Sequence, residues 1–177
     1  MTTDTFENLN MTNLRKVLLK IFFGDEWESM EKYVVPLHGN WYNPSQTDKV
    51  DNWIGYVIDS TKTNVAIVNR GDDGRRYYRE AKSTIHLSFI GTDAEVLAQS
   101  VLFWLARADV TKLFDDKYKG VMNNEEMELY SSLYQQEGLN STLCWNIDFS
   151  LQHNIMLDSE SPILRKADIS GNIIIGG

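Results

Sequence analysis

The chain has 177 residues and a mass of 20.4 kDa, room for one domain that buries a sizeable core without staples. Its 25 acids against 17 lysines and arginines give a net charge of −8, the wrong sign for a high-affinity nucleic-acid binder or a partner of anionic membranes. The single cysteine, Cys144, excludes an internal disulfide and a cysteine-cluster zinc site, and no apolar run approaches the roughly 18 residues of a membrane-spanning helix.

Residues 1–10 are polar and acidic where a signal peptide would be basic and then apolar, so the protein is expected in a reducing cytoplasm. The sequons at Asn10 and Asn140 then carry no meaning. The first predicted element is a helix capped by Thr12 or Asn13. Leu14, Val17, Leu18 and Ile21 fall on one face, and Gly24 stops it. A short turn is expected over 26–32, and an edge strand over 34–37, where Pro36 withholds a ladder donor. A polar loop, 38–52, carries Trp41 and Tyr42 among Gly39, Asn40, Asn43 and Pro44.

Strands follow. Ile54, Tyr56 and Ile58 alternate with polar or small residues. Further strands are expected over 65–69, 77–81 and 84–91, with Gly71-Asp72-Asp73-Gly74 as a tight turn between the first two. In the last, Ile85, Leu87 and Phe89 oppose Thr84, His86 and Ser88. Thr92-Asp93-Ala94-Glu95 reads as a capping box. It opens a helix with an apolar stripe of Ala94, Leu97, Ala98, Val101, Leu102 and Leu105. Val96, Phe103 and Trp104 widen the stripe, which predicts burial on more than one side, in a second core layer or a subunit contact.

Residues 109–137 hold seven acids against three lysines, a local charge of −4, and are expected to form one or two short helices around a loop at Gly120. The longest strand is expected over 141–152, with Leu143, Trp145, Ile147, Phe149 and Leu151 on one side. A polar passage containing Pro162 leads to Ile173-Ile174-Ile175 in an extended tail, 158–177. The fold class implied is α+β in one domain, 1–177, with a mainly antiparallel sheet and a β-hairpin packed against an N-terminal and a central helix.

Few residue groups suggest chemistry. Gly71-Asp72-Asp73 resembles a polymerase carboxylate hairpin, but the chain is too short for a polymerase and turn chemistry explains it. Arg70-Gly71-Asp72 is a three-residue match of the kind chance supplies. Strand parity sends His86 and His153 to opposite faces, so they share no metal and form no catalytic pair. His38 sits alone in its loop. Cys144 reads as a small strand residue facing away from Trp145. No nucleophile elbow or phosphate-cradling glycine loop is present. The adjacent acids Asp115-Asp116 and Glu125-Glu126 diverge on a helix and read as a solvated face. No catalytic residue, cofactor or metal is therefore expected. Arg70, Arg75, Arg76, Arg79 and Lys82 make a basic hairpin, suited to meet the acidic segment around Asp115 and Asp116 in another copy. Trp41, Tyr42 and Ile173, Ile174 and Ile175 complete the candidate interface residues.

The order of these elements resembles the phage tail-terminator and neck proteins. The resemblance is carried by the N-terminal helix over 14–22, the strand and polar loop over 34–44, and the strand over 53–60. The glycine-tipped hairpin, the strand-glycine-helix run from Ile85 through Gly91 to Leu105, and the Trp-bearing late strand over 142–151 complete it. It spans most of the chain as a pattern, and the tail beyond Asp158 departs from it. The resemblance implies a structural virion protein, made in the host cytoplasm, that forms a hexameric ring at the end of the tail tube. Its partners would be the tail tube and the head-to-tail connector, with DNA passing the lumen unbound and no membrane involved. The alternatives are a head-completion or baseplate adaptor, a non-viral binding module, and a small enzyme whose site the sequence does not display.

Overall fold

The computed structural model describes residues 7–37, 52–63, 69–70, 76–134 and 142–158. Helix α1 (Met11–Phe23) begins a few residues earlier than a cap at Thr12 or Asn13 would place it. Asn10 is the cap, and Asn13 is its partner: each side chain accepts the other's backbone N–H at 3.0 Å. Leu14, Val17, Leu18 and Leu19 are buried. Gly24, at φ +56°, ends the helix in a conformation that glycine adopts freely, and its N–H donates to the Lys20 carbonyl. A 3-10 run, Gly24–Tyr33, leads into β1 (Val34–Pro36). Arg15 ties these pieces together, donating from Nε to the Val34 carbonyl at 2.8 Å and from its guanidinium to Glu31.

Strand β2 (Asn52–Thr63) runs parallel to β1, which among the described residues is an edge strand, and antiparallel to β4 (Arg76–Gly91). The short β3 (Asn69–Arg70) also pairs with β4. Two expected strands, 77–81 and 84–91, are thus one strand of 16 residues. It runs on through Lys82 and Ser83 because the Ser83 hydroxyl, fully buried, is bonded on both sides: to Thr61 Oγ1 and to His153 Nε2, each at 2.8 Å.

After Gly91, at φ +131°, come α2 (Ala94–Leu105) and α3 (Ala108–Tyr118). Asp93 precedes α2 but caps nothing with its side chain. Its carboxylate instead accepts from Asn52 Nδ2 at 3.0 Å, and its N–H donates back to Asn52 Oδ1 at 2.9 Å, so a tertiary contact replaces the expected capping box. Strand β5 (Val121–Tyr134) then occupies the stretch expected to be helical and irregular, and β6 (Thr142–Asp158) is the longest strand. The sheet order is β1-β2-β4-β6-β5, with β3 beside β4. All pairings but β1 with β2 are antiparallel, so the fold is α+β with a mainly antiparallel sheet.

The three helices share one face of the sheet. Leu14, Leu18, Val101, Leu105, Phe114 and Tyr118 join Tyr56, Ile85, Leu87, Phe89, Ile147 and Phe149 in a single core. Leu97 and Trp145 pack against it half-buried. On the other face, the register neighbours Trp53, Ile90 and Cys144 form a smaller cluster with Val35. Both buried tyrosines on the helix side keep a hydroxyl bond, Tyr56 to the Met11 carbonyl at 3.0 Å and Tyr118 to Asn13 Oδ1 at 3.2 Å. Burial pushes the Tyr56 phenol up to about 12 and the Tyr118 phenol higher. No described helix is long and apolar enough to cross a membrane.

Candidate functional site

Strand parity puts a polar row on the sheet face away from the helices. His86 Nδ1 meets Asp148 Oδ1 at 2.6 Å, and His86 Nε2 meets Ser88 Oγ at 2.8 Å. Ser88 donates to Asn146 Oδ1 at 2.8 Å, Asn146 Nδ2 donates to Ser132 Oγ at 2.7 Å, and Ser132 Oγ lies 3.0 Å from Cys144 Sγ. Tyr130 closes the row by donating to Asp148 Oδ2 at 3.1 Å. Desolvation, and then the neighbouring Asp148, push the Tyr130 phenol up to about 12.

Ser88, His86 and Asp148 have the connectivity of a nucleophile, a base and an orienting acid, which no sequence spacing announced. Two features turn that connectivity away from catalysis. The Ser88 proton goes to Asn146, and Ser88 is buried at 6% exposure, so its oxygen serves His86 as an acceptor. Strand β4 is also paired on both sides, so its amides near Ser88 belong to the ladder and offer no oxyanion hole. The row reads as a satisfied polar seam across β4, β6 and β5.

A cleft of about 430 Å³ lies towards the other end of the sheet, lined by Lys62, Thr63, Ala81, Lys119 and His153 among others. Lys62 and Lys82 are register partners, and Lys82 Nζ forms an ion pair with Glu126 Oε2. His153, 4% exposed, has its pKa lowered by burial. Its Nδ1 is a buried side-chain atom without a hydrogen-bond partner among the described residues. His86 and His153 do stand on opposite faces, as their parity requires. Among the described residues no group of three potential ligands is placed to hold a metal ion.

The interface residues inferred from sequence are only partly in view. Asp115 and Asp116 are exposed on α3, and Arg76 opens β4. Their companions Trp41, Tyr42, Arg75, Ile173, Ile174 and Ile175 lie outside the described residues. Glu125 and Glu126 are not on a helix: they fall in β5, where its register with β6 shifts between Asn123 and Glu128. Lys82 also spends its charge on Glu126 of its own chain, which weakens its part in a basic hairpin reserved for a neighbour.

The surface that stands out is apolar. Within one chain, Trp104 of the widened α2 stripe packs half-buried against the core, while Val96 is 64% exposed and Phe103 is 77% exposed. They are seven residues apart and so share a helix face, away from buried Ala94, Ala98, Val101 and Leu105. The other exposed large apolar side chains among the described residues are Leu133 and Leu143, register partners on β5 and β6. Leu133 and Leu143 have the parity of Leu129 and Ile147, which puts them on the helix side of the sheet, where α2 crosses β6 and β5. No family model matches this chain, and no curated protein matches it.

Proposed function

We propose that this chain is a structural virion protein whose copies form a ring at the end of a phage tail tube and join it to the head connector. The carrying observation is the run from β4 through Gly91 into α2, set between an N-terminal helix and the Trp-bearing β6, in the order of the tail-terminator pattern. The exposed Val96 and Phe103 support the reading. A closed ring needs head-to-tail contacts, in which one patch meets a different patch on the next copy, and an apolar helix face supplies one. The charge of −8 supports it too. A lumen that passes DNA must not grip it, and each lysine or arginine contact to phosphate adds affinity that slows passage. The role is one of assembly, with the tail tube and connector as partners, a hexamer as the working form and the virion neck as the location.

Electron microscopy of the purified protein, and of particles containing it, tests the reading. A sixfold ring with an open centre at the tail-to-head joint is the expected image. One or two copies at that position would reject it.

A further inference from the structure

We propose that residues 169–177 of one copy add as a strand to the outer edge of β5, along residues 128–134, in a second copy, seating the isoleucines 173–175 beside Leu133 and Leu143. The inference rests on the ring reading only in requiring that copies meet.

Three observations carry it. First, β5 is the last strand of the sheet and, among the described residues, pairs on one side only. Its stretch from Glu128 to Tyr134 keeps an unbroken register with β6, so its outer edge presents a regular row of donors and acceptors. Second, that stretch carries exposed apolar surface. Leu133 is 71% exposed and its partner Leu143 is 54% exposed, with Val96 and Phe103 on the helix that crosses these strands. Third, chain length argues for exchange between copies. Strand β6 carries the chain from Leu143 to Asp158, about 50 Å away at roughly 3.3 Å per residue. From Asp158 to Ile173 is again fifteen residues, which span at most about 50 Å when fully stretched. Returning to its own Leu133 would demand a taut, straight linker through Pro162. A neighbour's β5 imposes no such demand.

The mode is β-augmentation, in which main-chain bonds give affinity and alternate side chains give specificity. Three consecutive isoleucines place at least one side chain beside Leu133 whichever parity the added strand takes.

Two full-length single-cysteine chains test it, each on a Cys144→Ser background. One carries Leu133→Cys. The other carries Ile173→Cys or, for the opposite parity, Ile174→Cys. A short bis-maleimide is added to each chain alone and to the mixture. A covalent dimer holding one chain of each kind, abundant only in the mixture, is the expected product. No such dimer at either parity overturns the proposal. So does a link that forms instead within a chain carrying both cysteines, at a yield unchanged by dilution. Hydrogen exchange of the unmodified protein is the second reading, free of any folding defect in the variants. Amides of residues 128–134 should exchange about ten-fold more slowly at high than at low protein concentration. Rates independent of concentration would also overturn it. A sixfold ring imaged without the cross-link removes strand exchange and leaves the ring. A cross-link without a ring does the reverse.

Discussion

The side chain of Leu37 lies directly over Gly55: a Cβ built on that glycine would clash with Leu37 Cδ2 and stand 2.8 Å from Cγ. Gly55 is a β2 residue paired with Val35 of β1 on one side and Ser88 of β4 on the other, and the Leu37 N–H is fixed by the Tyr56 carbonyl at 2.9 Å. The missing side chain is the space into which Leu37 folds. Gly55→Ala should therefore cost about 1–3 kcal/mol through overpacking. Urea titration of Gly55→Ala, Leu37→Ala and the double variant checks it. The double variant should be more stable than the sum of the single losses implies.

The core prediction follows from burial. Phe149, 1% exposed, meets the Phe114 ring edge-on at a centroid distance of 6.2 Å. Phe149→Ala should cost about 3–5 kcal/mol. Trp145, on the side of β6 that the alternation predicted, is half-buried, so Trp145→Ala should cost less. Thermal and urea melts of the two variants rank them, and an equal or larger loss at Trp145 would contradict this packing.

His153 gives a pH dependence. Burial lowers its folded pKa below the ordinary 6.5, so the unfolded chain takes up a proton that the folded chain refuses. Stability from this residue is full above about pH 6.5 and is lost as pH falls through that value towards the folded pKa. His153→Gln should flatten the loss of stability between about pH 7.5 and pH 5 relative to the unchanged protein. Equal slopes in the two proteins would show that His153 does not couple folding to protonation.

Ser88 separates a polar seam from a catalytic site. Ser88→Ala leaves His86 Nε2 and Asn146 Oδ1 each short of a bond and should cost about 1–3 kcal/mol. A fluorophosphonate probe should leave Ser88 unlabelled, because its proton is committed to Asn146. Stoichiometric labelling, checked by peptide mass spectrometry, would overturn that assignment.

On the charge, no sequence-specific DNA affinity should be measurable at physiological salt. A gel shift at micromolar protein that weakens as salt rises would count against the charge argument itself.

The sequence disclosed the elements whose periodicity is unbroken. Leu14, Val17 and Leu18 marked α1, Ile85 to Phe89 marked the core half of β4, and Ile147 to Leu151 marked β6. Strand β5 stayed hidden for a physical reason. Between Asn123 and Glu128 it takes five steps where β6 takes two, and this slip erases the alternation that would reveal a strand. Its acids are the surface of an edge strand, where charge is expected, and they resembled a solvated helix instead. The Thr92-to-Glu95 capping box did not form: Asp93 stands at the N-cap position, and Asn52, distant in sequence, holds its carboxylate. The His86, Ser88 and Asp148 contacts were illegible because they depend on the register between β4 and β6, which a single strand's pattern does not contain. The Trp41-Tyr42 loop and the isoleucine tail lie outside the described residues.

That register has a consequence for how the chain finds its fold. Strands β4 and β6 align over fifteen consecutive pairs without a bulge, so no backbone irregularity marks the correct alignment. The seam across the outer face does the marking. A slip of one residue would turn Ile147 and Phe149 outward and force Asn146 and Asp148 against the helices. A slip of two would restore the apolar side yet part His86 from Asp148 and Ser88 from Asn146 together. The seam thus works as a proofreader of strand alignment: oil on one side rejects odd errors, and matched polar partners on the other reject even ones.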